Sequence, residues 1–594
     1  MANFVAPDTI TPRLPMAHTH YMGLSGTALR TAIGLTAGLC FVAFGYGQGD
    51  IGGLVIMDGF RKEFPQIDAT LHPTLRVSLL TGITVAMWNL GCFFGAMLTV
   101  FVGDLCGRKG SITLGLVLMI SGKIVQVASF SWPQFLVGRF LAGFGNGIIA
   151  STVPAWQAEC LKTHRRGTLL LVSFGSCITA GVAMAYWIDY GFSFVPAESA
   201  SWRTPVGLGM TFMVPPLLLI VFLPESPRYL VLTGREAEAK SVLSALNEDS
   251  PEDEDIHREF LMIKNTLLHL TSGGVKEAFT MGKYRYLHRT ILAVVLQVMQ
   301  QFTGVNLFIQ YLGGMFHNQL KFPIPMALLL AGVCSTVFFL ASLVAVVGID
   351  RFWGRRTLTM FGASGMCLCM TLLAILEHSG TQKAHYAMTA FLFLYCACFA
   401  IGWQGMSWLW AVELIPLCTR GPANALATAA NWLANFAVVM ATPAMFTNIH
   451  YRIYIVFAVT NFCIVPAIYF FYPETGYRSL EEVDVLFSEA GKAGHPWLSV
   501  VKTARMEPLW FDRFGERSDS YISESGLRSG SSEKGKHDSQ GSDDAAKWKT
   551  HCREREQDFS SGSGSSEGAE GVAQSEASLT ALPPPPIKRS RNGV

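Results

Sequence analysis

The chain has 594 residues, of which 50% are hydrophobic and only 15% are charged. A soluble chain of this length needs more charge to cover its surface, so the composition favours a membrane protein. The net charge of +2 gives no indication of a nucleic acid or another polyanionic partner. The 13 cysteines are scattered and lack metal-ligand spacing, so we interpret them as packing residues and not as a disulfide framework.

Twelve mostly apolar stretches approach the length of about 20 residues that a membrane span needs. In chain order they lie near 30–53, 79–102, 111–130, 134–155, 168–190, 205–223, 288–313, 326–348, 357–377, 386–411, 421–446 and 451–472. A polar interval separates the first six spans from the last six. This pattern predicts an all-α membrane protein with two six-helix bundles, at 30–223 and 288–472.

The remaining segments are polar. We expect a cytosolic N-terminal segment at 1–29 without a cleavable signal peptide, and a linker with short helices at 224–287. The segment 473–594 is predicted to be a cytosolic, mostly disordered tail, with docking of a cytosolic regulator as the alternative interpretation. Lys and Arg concentrate in the loops after the second, fourth, eighth and tenth spans, which places both termini and the linker in the cytosol.

Three polar motifs occur twice in the same order, about 250 residues apart. Each copy ends an apolar stretch, so the repeat predicts two related halves that rock around a central site. Charge pairs that join the halves on the cytosolic side would form when that side closes, although simple positive-inside topology explains the same charges. The motifs are Gly103-Asp104-x-x-Gly107-Arg108-Lys109 with Asp350-Arg351-x-x-Gly354-Arg355-Arg356, Glu159 and Arg166-Gly167 with Glu413 and Arg420-Gly421, and Pro224-Glu225-Ser226-Pro227 with Pro473-Glu474-Thr475.

The seventh span is unusually rich in amides. Gln301 and Asn306 are five residues apart, which is about 140° around an ideal helix, so a straight helix would not aim both at one cavity. Thr303 and Gly304 lie between them, and this step favours a bend or an opening of the helix. Amides both donate and accept hydrogen bonds, so this cluster favours contact with a polyhydroxylated ligand over simple helix–helix contact.

Other spans add polar and aromatic candidates. Trp408 in the tenth span is suited to stacking on a sugar ring, with an interfacial aromatic belt as the alternative. Asn431 and Asn435 share one face of the eleventh span because they are four residues apart. Arg139 in the fourth span is a charge that needs a partner inside the bundle.

Together, Gln300-Gln301-x-Thr303-Gly304-x-Asn306, the Pro-Glu-Ser-Pro-Arg and Pro-Glu-Thr-Gly motifs and the duplicated loops resemble the sugar porters of the major facilitator superfamily, in the fungal hexose-transporter branch. The resemblance covers roughly residues 30–488. It implies twelve helices in two bundles and alternating access around a central site, with substrate contacts from Gln300, Gln301, Asn306, Trp408, Asn431 and Asn435. The cytosolic gate that the motifs and the resemblance indicate contains Asp104, Arg108, Glu159, Arg166, Asp350, Arg355, Arg356, Glu413 and Arg420.

The first span departs from the pattern of proton-coupled relatives, Phe-Gly-Tyr-Asp-x-Gly. Gly47 stands where the family carries its carboxylate, and Asp50 follows three residues later. That shift is about 4.5 Å of rise and 60° of rotation, so Asp50 remains able to approach Arg139 as a proton-coupling pair. Phe174 and Phe338 fall where the family has amides, which predicts a smaller and less polar cavity.

These features favour a secondary transporter of a hexose-like sugar or related polyol, coupled to a proton, in the plasma membrane. A non-transporting nutrient sensor that uses the cytosolic tail is one alternative. A transporter of a cyclic polyol acid such as quinate is another, and it requires a basic residue in the cavity besides Arg139, which we do not identify. The sequence shows no nucleophile–base set, phosphate loop or metal cluster, so no enzymatic activity and no cofactor other than a coupling proton is expected.

Overall fold

The computed structural model describes residues 21–507 apart from 22, 69–73, 161–171, 197–198, 249, 251–252, 271–276, 350–352, 417–418, 477, 479 and 493–494. Within this part of the chain, ten helices are long and apolar enough to cross a membrane. Helices suit such apolar stretches because a helix satisfies its backbone hydrogen bonds internally in a medium without water.

We label the membrane helices α1 to α12 in chain order. The N-terminal set consists of α1 (Gly26–Leu54), α2 (Leu75–Thr99), α3 (Leu105–Val127), α4 (Trp132–Cys160), α5 (Ile178–Phe192) and α6 (Ser199–Phe222). The C-terminal set consists of α7 (Tyr286–Phe302), α8 (Ile324–Gly348), α9 (Arg355–Ser379), α10 (Gln382–Leu414), α11 (Arg420–Ile449) and α12 (Arg452–Phe471). We call the end where α2 meets α3 and α8 meets α9 the loop end, and the opposite end the far end.

Two of these helices, α5 and α7, are shortened by an interruption, and the longer α10 contains a π-helical turn at Ala400–Gln404. The two shortened helices have 15 and 17 residues, fewer than a membrane span needs. A π-helical turn, Val172–Cys177, precedes α5, and a short helix, Val305–Ile309, continues α7 after a break. The twelve predicted spans therefore correspond to ten long helices and two interrupted ones in the described structure.

The core runs across both sets of helices. One cluster of buried apolar side chains joins Phe44 and Trp88 of the N-terminal set to Trp408 and Trp432 of the C-terminal set. Among the described residues, three hydrogen bonds connect the sets in their far halves: Ser78 with Thr447 at 2.7 Å, Trp187 Nε1 to Thr336 Oγ1 at 2.9 Å, and the Tyr186 hydroxyl to the Ile309 carbonyl at 2.8 Å. In the loop halves, the Ser342 hydroxyl lies 3.1 Å from that of Ser176 and 3.2 Å from that of Thr179.

Helices outside the membrane set lie between α6 and α7 and after α12. The interval between the sets contains Pro227–Leu232, Glu236–Asn247 and Glu254–Leu270. After α12 come Leu480–Gly491 and Pro496–Met506. The rest of the predicted tail, 508–594, and most of the N-terminal segment lie outside the described residues.

Candidate functional site

Four buried amide side chains form a hydrogen-bonded chain between the two sets of helices. Gln48 Nε2 of α1 donates to Asn306 Oδ1 at 3.5 Å, and Asn306 Nδ2 donates to Gln301 Oε1 at 2.5 Å. Gln301 Nε2 then donates to Asn431 Oδ1 of α11 at 2.5 Å. Each amide both donates and accepts, so hydroxyl groups of a ligand are chemically equivalent replacements for these bonds.

The break in α7 brings Gln301 and Asn306 together. Gly304 has a φ of +91°, a left-handed conformation that glycine adopts without steric cost. A Cβ atom at this position would lie 2.8 Å from Phe457 Cγ, so the close packing also requires glycine. The helix therefore opens between Gln301 and Asn306, and both side chains reach the same amide chain.

The same break leaves the Thr303 carbonyl without its helical partner. The Tyr395 hydroxyl donates to it at 2.8 Å and Asn461 Nδ2 donates to it at 2.9 Å. A freed carbonyl in a membrane protein needs such donors. The sequence analysis missed Tyr395 and Asn461, because no local pattern shows that a residue on a distant helix satisfies an opened turn.

The other predicted binding residues are also buried near the amide chain. Gln300 Nε2 donates to the Trp403 carbonyl at 3.4 Å, while Gln300 Oε1 and Asn435 Oδ1 have no hydrogen-bond partner among the described residues. Trp408 is 9% exposed and packs in one cluster with Trp432. Unpartnered buried oxygens are acceptors that remain available to a ligand.

One predicted phenyl substitution is visible in the described structure. Phe338 of α8 is 3% exposed, and its ring centroid lies 6.1 Å from that of Phe399. It forms an aromatic contact inside the C-terminal set, in keeping with a less polar interior. The side chain of Phe174 lies outside the described residues.

A buried ion cluster lies inside the N-terminal set, two residues along α1 from Gln48. Asp50 Oδ1 is 3.1 Å from Arg139 Nη1, and Asp50 Oδ2 contacts the Lys123 ammonium group. All three side chains are at most 1% exposed. Both cations also lie over the Trp88 ring, Arg139 at 5.4 Å and Lys123 at 5.7 Å from its centroid. Buried ionisable groups in a bundle are costly and mark functional sites.

Lys123 corrects the expectation that the bundle holds no basic residue besides Arg139. It lies in the predicted third span, where an ionisable residue is itself a signal of function that the sequence analysis did not use. Because the single carboxylate of Asp50 contacts both cations, it balances only one of their two positive charges. Lys123 is therefore a second buried basic residue, the feature that would support a transporter of a polyol acid.

Trp88 gives a steric reason for the missing carboxylate at Gly47. A Cβ atom at Gly47 would lie 2.9 Å from Trp88 Cζ2 and closer still to Cη2 of the same ring. The indole therefore occupies the space that a side chain at this position needs. The acidic group of α1 lies one turn further along, at Asp50.

At the loop end, the three repeated motifs of the N-terminal set converge. Glu225 accepts from the backbone N–H of Arg108 at 3.1 Å and from that of the next residue at 3.1 Å, so it caps the start of α3. Gly107 has a φ of +74°, and a Cβ atom there would lie 2.7 Å from Glu225 Oε2. Glu159 pairs with Arg108 at 3.4 Å and accepts from Ser226 Oγ at 2.5 Å.

The second copies of the motifs make the same contacts in the C-terminal set. Glu474 accepts from the backbone N–H of Arg355 at 2.9 Å and from that of the next residue at 3.0 Å. Glu413 pairs with Arg355 at 2.9 Å and accepts from Thr475 Oγ1 at 2.6 Å. We call these sites the N-junction (Arg108, Glu159, Glu225 and Ser226) and the C-junction (Arg355, Glu413, Glu474 and Thr475).

The ion pairs of the junctions differ from the predicted form of the gate. Each pair lies within one set of helices, because Glu159 and Glu413 end helices that pack beside the starts of α3 and α9. Arg356 Nη2 donates to the Tyr469 carbonyl, and Arg420 Nη2 donates to the Ile415 carbonyl at 3.3 Å. The predicted gate residues outside the described part are Arg166, Asp350 and the side chain of Asp104.

Comparison with known proteins gives a family match over most of the chain. The family described as "Sugar (and other) transporter" matches residues 33–487. The sugar transporter STL1 of Saccharomyces cerevisiae is 34% identical, covering 81% of this chain and 85% of the relative. The low-affinity glucose transporter HXT3 of the same yeast is 32% identical, covering 77% and 81%. A solved structure of the proton:xylose symporter XylE is 25% identical with a TM-score of 0.66, covering 78% of this chain and 99% of XylE.

Proposed function

Because the chain belongs to the sugar transporter family of the major facilitator superfamily, we propose that it is a proton-coupled secondary transporter of a sugar or related polyol. The chain is a multi-pass membrane protein and not an enzyme. The observation that carries the proposal is the amide chain from Gln48 through Asn306 and Gln301 to Asn431. It is buried, it joins the two sets of helices, and it carries the donors and acceptors that hydroxyl groups match.

In this proposal, a sugar hydroxyl replaces one or more amide–amide bonds and leaves no buried polar group unpaired. The exchange costs little because bonds are traded one for one. The free acceptors of Gln300 and Asn435 lie beside the chain, and Trp408 offers an aromatic face to the ring of a sugar. The substrate-binding set is Gln48, Gln300, Gln301, Asn306, Trp408, Asn431 and Asn435.

The coupling proton is proposed to act at the ion cluster of Asp50, Arg139 and Lys123. Gln48 and Asp50 are two residues apart on α1, so a movement of this helix reaches both the amide chain and the ion cluster. The similarity to XylE, which is described as a proton:xylose symporter, also supports proton coupling in this chain. A change of charge at Asp50 or its partners would then shift the affinity of the amide chain.

Alternating access is proposed to occur by rocking of two six-helix bundles, 30–223 and 288–472, joined by the linker 224–287. Hydrogen bonds join the sets in their far halves, and the Ser342 hydroxyl of α8 also bonds those of Ser176 and Thr179 nearer the loop end, so the described form is held together on both sides of the centre. The basic loops support a cytosolic loop end, cytosolic termini and a cytosolic linker, and we propose the plasma membrane as the location. The junctions hold the loop ends of the bundles in shape while the bundles rotate.

Uptake in transporter-deficient cells tests this function. Labelled hexoses, pentoses, linear polyols and quinate are supplied one at a time, with and without an uncoupler. We expect saturable uptake of at least one sugar or polyol that the uncoupler reduces. Uptake that the uncoupler does not reduce would contradict proton coupling and identify a facilitator.

Two other outcomes favour the alternatives. Uptake of quinate alone identifies a transporter of polyol acids. Absence of uptake for every compound, together with a transcriptional response that depends on the tail, identifies a sensor.

A further inference from the structure

Asp189 is a second buried carboxyl group beside the ion cluster. It lies on α5 with 0% of its surface exposed, and its side chain packs against Gly53 of α1. Neither of its oxygens has a side-chain hydrogen-bond partner among the described residues. It is within electrostatic range of Asp50 and Lys123.

The contacts of the two acids are unequal. The described cluster has two carboxyl groups and two cations, and both cations contact Asp50. An unpaired carboxylate in a dry interior costs several kcal/mol, whereas a neutral carboxylic acid costs much less. A neutral Asp189 leaves one positive charge of the cluster in excess, and ionisation of Asp189 would balance that charge, so the arrangement fits a carboxyl group that binds and releases a proton.

We propose that Asp189 is the carboxyl group that binds the transported proton, and that Lys123 is a counter-ion that moves between Asp50 and Asp189. The inference rests on the proposed proton-coupled transport and assigns the site of the proton. When Asp189 loses its proton, the O–H bond breaks, the proton leaves to water and a carboxylate remains. The Lys123 ammonium then moves to Asp189, while Arg139 stays with Asp50.

The groups that face Asp189 are compatible with this exchange. They come from α1 (Tyr46 and Asp50), α3 (Lys123) and α5 itself (Tyr186). The Tyr46 hydroxyl donates to the Pro205 carbonyl at 2.6 Å, and the Tyr186 hydroxyl donates to the Ile309 carbonyl. Both phenols are thus engaged elsewhere. Lys123 is the cation that lies within electrostatic range of Asp189 among the described residues.

The exchange also links the proton to the substrate site. Lys123 contacts α1 through Asp50, and Gln48 on the same helix donates to Asn306 of the C-terminal set. Moving the ammonium group from Asp50 to Asp189 changes what holds α1 in place. The amide chain at the other side of α1 responds, so protonation and substrate binding share one helix.

Infrared spectroscopy of the purified full-length protein in liposomes tests the assignment without a substrate. At neutral pH, the wild type should show the carbonyl band of a buried protonated carboxylic acid. Asp189→Asn should remove this band, and Asp58→Asn, which changes an exposed carboxylate, should leave it. A band that survives in Asp189→Asn overturns the proposal.

Transport in the same liposomes provides the second readout, with the substrate that the uptake panel identifies. The wild type should accumulate it when a pH gradient is applied. Asp189→Asn should fall to the equilibrium level, while exchange of labelled for unlabelled substrate continues. Full gradient-driven accumulation by Asp189→Asn overturns the proposal, whereas absence of uptake by the wild type contradicts the proposed function and leaves the infrared result to decide on Asp189.

Lys123→Gln covers the case in which Asp189→Asn does not fold. Without the mobile ammonium group, a deprotonated Asp189 has no counter-ion, so the carbonyl band should persist at alkaline pH where the wild-type band disappears. A band that titrates as in the wild type contradicts the role of Lys123 and overturns the exchange.

Discussion

The N-terminal and C-terminal sets of helices are alike at the loop end and unlike at their centres. The N-junction and the C-junction use the same groups in the same roles: a glutamate that caps a helix, a Glu–Arg pair and a hydroxyl donor. The centre of the N-terminal set holds charges around Asp50, whereas the centre of the C-terminal set holds uncharged amides around Gln301. The repeated scaffold therefore supports two different chemistries.

This difference fits separate roles for the two sets of helices. Charged groups respond to protons, and amides exchange hydrogen bonds with hydroxyl groups. A transporter that couples a proton to a sugar needs both, and placing them in different sets lets each be shaped independently. Gln48 connects them, because it lies on the helix of Asp50 and donates to an amide of the other set.

The largest effect is expected from Asp50→Asn, which breaks the charged centre. The change leaves Arg139 and Lys123 side by side without a carboxylate between them, and loss of one partner of a buried ion pair costs about 3–5 kcal/mol. Thermal unfolding of the purified protein should show a large loss of stability. Adding Lys123→Met should restore part of it, because one uncompensated cation is removed.

Asp58→Asn changes an exposed acid that follows α1, at the start of the short helix Asp58–Glu63, and is the matched control for this change. It should unfold like the wild type. If Asp50→Asn unfolds at the same temperature as Asp58→Asn, the cluster does not carry the charges that its contacts imply.

Gly304→Ala should have the next largest effect, in the uncharged centre. Alanine in a left-handed conformation costs about 1–2 kcal/mol, and the new Cβ atom must also displace Phe457. Stability should fall and substrate affinity should weaken, because Gln301 and Asn306 separate. Gly314→Ala is the control, since a Cβ atom there would have its nearest neighbour at an ordinary 3.7 Å. Equal stability and equal substrate affinity of the two variants would show that neither property requires the break in α7.

Removing the caps tests whether the two junctions are equivalent. Glu225→Ala and Glu474→Ala each remove a carboxylate from a helix start, at a cost of about 1 kcal/mol. Thermal unfolding should show equal losses for both variants and none for Glu238→Ala, an exposed glutamate of the linker. A clearly larger loss of stability for one variant would mean that the repeated motif stabilises the fold in that half and has a functional role in the other half.

The smallest effect is expected from Gln301→Ala, which shortens the amide chain by one member. A hydrogen bond between uncharged groups contributes about 1 kcal/mol, so KM for the transported substrate should rise roughly fivefold. Concentration-dependent uptake measures the change. Gln134→Ala, an amide at the start of α4 outside the site, should leave KM unchanged. A lower maximal rate at constant KM would instead assign Gln301 to the conformational step.

Much of the architecture follows from patterns that are local in the sequence. Long apolar stretches predict the membrane helices, and a single Thr303-Gly304 step indicates the break that the structure shows in α7. The repeated motifs predict related halves, but not that three motifs of one half meet at one point. That convergence depends on how α3, α4 and the segment after α6 pack together, and no single motif contains this information.

The residues that the sequence analysis missed act through partners on other helices. Lys123 and Asp189 are single polar residues in apolar stretches, and their meaning depends on the distance to Asp50. Gln48 is part of a motif that departs from the family pattern, so its amide attracted no functional interpretation. A rule that examines every ionisable residue inside a predicted span would have identified Lys123 and Asp189.

The junctions also imply an order of rigidity within each bundle. Their bonds tie together the α2–α3 turn, the end of α4 and the segment after α6, and likewise the corresponding elements around α9, α10 and the segment after α12. The helices α1 and α7, which carry Gln48, Asp50, Gln301 and Asn306, contribute to none of these bonds. At the loop end, α1 and α7 are instead tied through one arginine each, Arg30 to Asn247 and Arg289 to Leu414 and Asp484. A ligand or a proton can therefore move these two helices without breaking a junction.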